Sequence, residues 1–75
     1  MTNLSTVINT LNTNLTKREK LVVELLSQGY SSKQIAWHLK SSKNTVDNQR
    51  KNMLKKTNTK NVTELVAVAI RQNII

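Results

Sequence analysis

The sequence predicts an all-α domain of four helices, and three observations support that fold class. The chain has 75 residues, which is the size of one domain, and none of its segments alternates polar and apolar residues as a β-strand does. Four stretches instead repeat apolar residues with helical spacing. A side chain that can cap a helix N-terminus precedes each stretch, so the number of helices and their starts are both predicted.

The first helix is predicted over residues 17–28. It follows Thr16, which forms a capping-box pattern with Glu19. Its apolar stripe consists of Leu21, Val22, Leu25 and Leu26. Gly29, the only glycine, suits the left-handed backbone that ends many helices, so the helix is expected to stop just before it.

The second helix is predicted over residues 32–39 and the third over residues 43–56. Ser31 and Ser42 stand at the two starts as caps. The inward positions are Ile35, Ala36 and Leu39 on the second helix, and Val46, Met53 and Leu54 on the third. Only residues 40–42 separate these helices, which is the tight connection of a helix-turn-helix.

The fourth helix is predicted over residues 62–72, after the cap Asn61, and is apolar around most of its circumference. One side, formed by Val62, Leu65, Val66 and Ala69, can face the core. A second stripe, formed by Ala67, Ile70 and Ile74, predicts a homodimer interface. The alternative is one buried face with a few ordinary exposed aliphatic side chains.

Residues 1–14 are predicted to form a short amphipathic helix, with a flexible tail as the alternative. The apolar residues Leu4, Val7, Ile8 and Leu11 have helical spacing, but the Thr and Asn residues around them are poor helix formers. The domain itself is therefore assigned to residues 15–75.

The composition excludes several classes of function. The chain has no cysteine and one histidine, so disulfides, cysteine zinc sites and multi-histidine metal sites are excluded. The longest apolar run, residues 65–70, is far shorter than the roughly 17 residues of a membrane span, and residues 1–14 carry no basic leader. We therefore expect a cytoplasmic protein. Because no acid–base pair, phosphate-binding glycine loop or metal-ligand spacing is present, no enzyme activity and no cofactor are predicted.

The charge pattern predicts a polyanionic partner. The formal net charge is +8, and residues 40–60 hold seven cations and one anion. On the third helix, the face opposite the core carries Asn44, Asp47, Asn48, Lys51 and Lys55. Asn, Asp and Lys can all pair with base edges, whereas a membrane-surface helix needs a broad apolar face. Double-stranded DNA is thus favoured over a membrane, and a charged face that is merely solvated is the alternative.

A specific set of motifs runs from residue 15 to the end of the chain. It comprises Leu15-Thr16-x-Arg18-Glu19, Gln28-Gly29-Tyr30-Ser31, Lys33-Gln34-Ile35-Ala36, Leu39, Ser42-x-x-Thr45-Val46, Met53-Leu54-Lys55-Lys56, Thr63-Glu64-Leu65-Val66, Ala69-Ile70-Arg71 and Ile74-Ile75. With these motifs the chain resembles the LuxR/GerE/FixJ-type helix-turn-helix domain. The resemblance implies a bacterial transcription regulator that binds DNA as a dimer, with the third helix in the major groove and the fourth at the dimer contact.

The resemblance also implies contact residues. Base contacts are implied at Asp47, Asn48 and Lys51, and Asn44 is added because it shares their helix face. The expected phosphate contacts are Ser31, Ser32, Lys33, Lys43, Thr45, Lys55 and Lys56. A dimer of such domains would bind a pseudo-palindromic operator.

Several residues in and next to the third helix depart from the family pattern, among them Asp47, which stands in place of a basic residue. Arg50 and Thr57 occupy positions that are usually apolar, and Gln49 stands where the family usually has histidine. Two polar residues on the inward side predict a thin core there, unless Arg50 lays its stem along apolar surface with its guanidinium in water.

Trp37 is predicted to lie on the outer side of the second helix, away from Ile35 and Leu39. It could dock the apolar residues of segment 1–14, contact RNA polymerase, or be a partly exposed side chain without a role. The second function hypothesis follows from this residue: a helix-turn-helix module that contacts RNA polymerase or another regulator and binds DNA only weakly.

Overall fold

A computed structural model describes residues 15–75, which form four α-helices and no strand. The helices are α1 (Lys17–Ser27), α2 (Ser32–His38), α3 (Lys43–Thr57) and α4 (Val62–Arg71). Each begins at the predicted residue and ends within one residue of the predicted end. The all-α helix-turn-helix class is therefore confirmed, while the prediction for residues 1–14 lies outside the described residues.

All four helices start on a side-chain cap. The side-chain oxygens of Thr16, Ser31, Ser42 and Asn61 each accept a hydrogen bond from the backbone N–H three residues on, at 2.9–3.2 Å. At α1 and α2 the return bond is also present, because Glu19 Oε1 accepts from the Thr16 N–H and Gln34 Oε1 from the Ser31 N–H, each at 2.9 Å. The polar residues around the turns thus fix where each helix begins.

Each helix also ends on left-handed backbone. The residues in this conformation are Gly29 (φ 93°), Lys40 (φ 54°), Asn58 (φ 54°) and Asn73 (φ 58°). At Lys40, its own N–H donates to the Trp37 carbonyl at 3.3 Å, and the Ser41 N–H donates to the Ala36 carbonyl at 2.8 Å. The same pair of bonds closes the other three ends. These closures explain how a chain with one glycine and no proline connects four helices.

The core lies where the helices meet and contains the predicted inward residues, with one correction on α1. Leu21 is 40% exposed, and Val23 is fully buried instead. α1 packs against all three other helices, so its buried arc extends past Val22 towards Val23 and excludes Leu21. Every other predicted core position is buried or packs against the core.

A long-range ion pair joins the start of α1 to the end of α3. Lys56 Nζ donates to Glu19 Oε1 at 2.8 Å, and the same oxygen accepts the Thr16 N–H. Glu19 is 6% exposed. Its burial raises the pKa, but the hydrogen bonds from Lys56 and Thr16 and the charge of Lys56 outweigh that effect, so the pKa of Glu19 lies below its ordinary value. The ionised carboxylate therefore stabilises the fold.

We expect Glu19→Gln to lower the free energy of unfolding by about 1.5–3 kcal/mol at neutral pH, because the amide loses the charge-assisted bond from Lys56. The lowered pKa gives the pH dependence. In the wild-type chain this stabilisation is fully present above the pKa that Glu19 has in the unfolded chain, and it is lost as the pH falls through the folded-state pKa. Thermal unfolding followed by circular dichroism, at neutral and at acidic pH, measures both effects.

Glu64→Gln is the matched control. Glu64 is also the third residue of a capped helix, but it forms no ion pair among residues 15–75. Its replacement should change the unfolding free energy by less than about 0.5 kcal/mol. Equal losses in the two variants would contradict the role assigned to the ion pair.

Candidate nucleic-acid interface

The outer face of α3 presents a row of polar and basic side chains. Asn44, Asn48, Lys51 and Lys55 are all exposed, on the side opposite the fully buried Val46 and Met53. Three of the four predicted base-reading residues, Asn44, Asn48 and Lys51, therefore share one accessible face. Asn and Lys side chains on such a face can donate to, and in the case of Asn also accept from, base edges.

Asp47, the fourth predicted base-reading residue, lies at the edge of this face and is half-buried. Its Oδ2 accepts a hydrogen bond from Lys43 Nζ at 2.8 Å, and its Oδ1 lies 4.0 Å from Arg50 Nη1. The pKa of Asp47 lies below its ordinary value, first because of the Lys43 hydrogen bond and then because of the Ser32 hydroxyl and the nearby positive charges. Asp47 is thus an anion that neutralises cations of its own helix.

Arg50 links α3 to α2. Its Nη1 donates to the Ser32 hydroxyl at 2.5 Å, and Ser32 is 4% exposed. One nitrogen of the guanidinium is therefore bonded within the protein, and the side chain is about one-third exposed (32%). At the other polar inward position, the Thr57 hydroxyl donates to the Met53 carbonyl at 2.8 Å. Hydrogen bonds thus take the place of apolar contacts at the two polar positions on the inner side of α3.

The predicted phosphate contacts fall into two groups. Ser31, Lys33, Thr45 and Lys55 are exposed, the first two at the start of α2 and Thr45 at the start of α3. The side chains of the other three bond charged side chains of the protein: the Ser32 hydroxyl bonds Arg50, Lys43 bonds Asp47, and Lys56 bonds Glu19, although both lysines are also exposed. The start of α2 and the start of α3 therefore offer the most accessible groups for a phosphate backbone.

Sequence reasoning missed the positioning role of Arg50. The residue was noted only as a polar departure from the family pattern, although two signals for its role were present. Asp47 precedes it by three residues on the same helix side, and Ser32 provides a small hydroxyl at the first turn of α2.

The predicted dimer stripe on α4 is only partly exposed. Ile70 is 57% exposed, and Ala67 is exposed beside it. Ile74, however, is half-buried and packs against the core, because the left-handed backbone at Asn73 directs the chain back to the domain. Within the domain, Ile74 is therefore a core residue, and the accessible apolar stripe consists of Ala67 and Ile70.

Residues 15–75 contain no cluster of three or more His, Asp or Glu side chains that could hold a metal ion. In the same part of the chain, none of the helices has the length and apolar character that a membrane crossing requires.

The comparison with protein families matches residues 13–69 to the model described as "Bacterial regulatory proteins, luxR family". The match spans all of α1 to α3 and most of α4, and it includes every predicted base-reading residue.

Individual relatives agree with this match. The chain is 36% identical over 69 residues to the "Regulatory protein SdiA" of Escherichia coli (strain K12), which is 92% of this chain and 29% of that protein. It is 38% identical over 66 residues to the "Virulence factors putative positive transcription regulator BvgA" of Bordetella pertussis, covering 88% of this chain and 32% of the relative. It is also 39% identical over 61 residues to the "Probable transcriptional regulator ycf29" of Porphyra purpurea, covering 81% of this chain and 29% of the relative. The chain thus spans about a third of the length of these relatives.

The ion pairs of Asp47 yield a prediction for duplex DNA of random sequence. We expect Asp47→Asn to tighten this binding by about 3–10-fold at moderate salt and to steepen its salt dependence by about one ion, because Lys43 becomes free to contact a phosphate. Fluorescence anisotropy at several salt concentrations measures both quantities.

The double variant Asp47→Asn with Lys43→Ala provides the control. If the gain comes from release of Lys43, the double variant should bind random DNA no more tightly than Lys43→Ala alone. A gain that persists in the double variant would show that Lys43 is not the group that Asp47 holds back.

Proposed function

Because this chain belongs to the luxR family of bacterial regulatory proteins, we propose that it binds a short operator in double-stranded DNA and regulates transcription from it. The family and the named relatives are regulators and not enzymes. The observation that carries the proposal is the outer face of α3, where Asn44, Asn48 and Lys51 lie exposed and side by side over two turns. A regulator of this kind acts where the bacterial chromosome is, so we place it in the cytoplasm.

In the proposed complex, α3 lies in the major groove. Lys51 would donate to guanine O6 or N7, Asn44 and Asn48 would pair with adenine, and Asp47 would accept from a cytosine amino group once Lys43 turns to a phosphate. The side-chain bonds between α3 and the other helices support this docking. Lys56 bonds Glu19 at the end of the helix and Arg50 bonds Ser32 at its centre, so the helix enters the groove as a fixed element.

The phosphate backbone would be bound at two helix starts and at the end of α3. Ser31 and Lys33 stand at the start of α2, Thr45 at the start of α3, and Lys55 near its end. Their contacts would supply the salt-dependent part of the affinity, which is the same for every sequence.

We also propose that two copies pair through α4 to bind a pseudo-palindromic operator. Ala67 and Ile70 are exposed on one side of that helix, and a symmetric contact would cover both at once. Each copy would then read one half-site, and the dimer geometry would set the spacing between the half-sites.

Lys51 and Lys55 provide a matched test, because both are exposed lysines on the same face, one turn apart. Selection from a random duplex pool, carried out at two salt concentrations, first supplies the operator. We expect Lys51→Ala to lose about 1–3 kcal/mol on the operator and much less on random DNA, because Lys51 reads a base. Lys55→Ala should weaken binding to both DNAs alike and lower the salt slope by about one.

Losses for Lys51→Ala that are equal on the two DNAs would contradict its role as a base-reading residue. A selection that enriches no sequence would instead favour the alternative, a helix-turn-helix module that contacts RNA polymerase or another regulator and binds DNA weakly.

Ile70→Glu tests the dimer. A buried carboxylate in the proposed interface should weaken binding to a palindromic operator at least about tenfold while binding to an isolated half-site stays unchanged. Leu21→Glu is the control, since Leu21 is also a large exposed apolar residue but lies on α1. Sedimentation of the DNA complexes measures their stoichiometry, and one copy per palindrome in the wild-type complex would overturn the dimer.

A further inference from the structure

The outer side of α2 carries an aromatic groove that shares only Lys33 with the proposed DNA interface. Its volume is about 480 Å³, within the range of about 300–1,000 Å³ that is typical of ligand sites. The groove is lined by Tyr30, Lys33, Gln34, Trp37 and His38. Trp37 is 82% exposed, the largest exposed fraction among the large apolar side chains of residues 15–75. An aromatic side chain with this exposure next to a groove is a typical anchor point for a partner.

The walls of the groove are held in place by the fold. The rings of Tyr30 and His38 stack with their centres 6.4 Å apart and their planes at 21°. The backbone of Tyr30 is fixed because its N–H donates to the Leu25 carbonyl at the end of α1. At the far end of α2, Arg18 Nη2 reaches the Leu39 carbonyl at 3.4 Å. The Tyr30 and His38 wall would therefore be ordered before a partner binds, which reduces part of the entropy lost on binding.

The charge around the groove defines the chemistry of its occupant. No acidic residue occurs in the sequence between Glu24 and Asp47, and Asp47 is engaged with Lys43 and Arg50 on α3. Lys33 lines the groove, its side chain exposed, and forms no ion pair among residues 15–75. A groove with aromatic walls and one lysine among its lining residues is complementary to a ligand that carries a carboxylate beside a large apolar group.

A peptide fits these walls better than duplex DNA does. Bases in a duplex are stacked on one another, so they offer no free face to Trp37, and a phosphate backbone needs cations rather than aromatic rings. The groups suited to phosphate, Ser31 and Lys33, stand at the first turn of α2, whereas Trp37 and His38 stand at its last turn.

We propose that this groove binds an acidic peptide segment of a partner protein, with one large apolar side chain packed against Trp37 and a carboxylate facing Lys33. The site would lie apart from the outer face of α3 and share only Lys33 with the proposed phosphate contacts, so a partner carboxylate and a DNA phosphate would compete for that one side chain. This inference is independent of the operator and of the dimer.

The chain provides its own reporter, because Trp37 is its only tryptophan. Peptides would be selected on the full chain from a random displayed library, labelled with fluorescein and titrated by anisotropy, with the tryptophan emission recorded in parallel. We expect the selected peptides to share Asp or Glu next to Phe, Leu or Trp. Peptides without tryptophan should shift the emission of Trp37 to shorter wavelength as its ring leaves water.

Three variants test the site. Trp37→Ala should weaken binding of the selected peptides at least about tenfold while random-DNA affinity and thermal stability remain unchanged, because the side chain is mostly in solvent. Lys33→Gln should weaken peptide binding and reduce its salt dependence. Leu21→Ala, another exposed apolar position, should have no effect.

The proposal is overturned if no peptide is enriched, if the enriched peptides lack acidic residues, or if Trp37→Ala leaves their affinity unchanged. Two further probes separate other occupants. A synthetic peptide of residues 1–14, which contains no acidic residue, should not compete, and equal competition would assign the groove to the chain's own first segment. Random duplex DNA should leave the Trp37 emission unchanged. An emission shift on adding DNA, together with weaker DNA binding by Trp37→Ala, would assign the groove to nucleic acid.

Discussion

Glu19 Oε1 accepts the N–H that starts α1 and the ammonium of Lys56 at the last turn of α3, and the position of α3 depends on this junction. α3 has 15 residues, of which only Val46 and Met53 are buried apolar side chains. Leu54 adds a partly buried contact, so apolar packing along this long helix is limited to three positions. The burial of Val46 and Met53 determines which face is turned outward. The ion pair at the end of α3 and the Arg50–Ser32 bond at its centre add two further constraints on the position of the helix.

Within residues 15–75, the cations of α3 fall into two classes, those that bond other groups of the protein and those that do not. Lys43, Arg50 and Lys56 are bonded to groups of the protein, and Lys51 and Lys55 have no ion pair in the described part of the chain. The net charge of residues 40–60 therefore overstates what is freely available to a polyanion. Asp47 contributes most to this difference, because it is the single anion in that stretch and lies between two cations. In the proposed complex, such an arrangement would lower affinity for DNA in general and would leave the exposed amide and lysine side chains to discriminate between sequences.

The sequence predicts the helices closely because their limits are local. Thr16, Ser31, Ser42 and Asn61 bond backbone groups three residues away, so short patterns reveal them. The exposed polar face of α3 follows from helical geometry in the same way. The contacts that Ser32, Lys56 and Ile74 make within the domain could not be predicted. Ser32 and Lys56 bond residues that are distant in the sequence, and Ile74 packs against the core because of the path of the chain after α4. The burial of Val23 in place of the predicted Leu21 has a similar cause, because the three helices packed around α1 determine which of its sides is covered.

The left-handed helix ends have a consequence for the order in which the domain folds. Each of these closures joins residues that are close in the sequence, so the limits of the helices can form before the helices meet. The bond between Lys56 and Glu19 closes a much longer segment of chain, and its entropy of closure must be compensated by apolar contacts formed at the same time. Local contacts of this kind are typical of small helical domains that fold within microseconds to milliseconds. With this order of closure, α3 would form before the Lys56–Glu19 ion pair fixes its direction relative to α1.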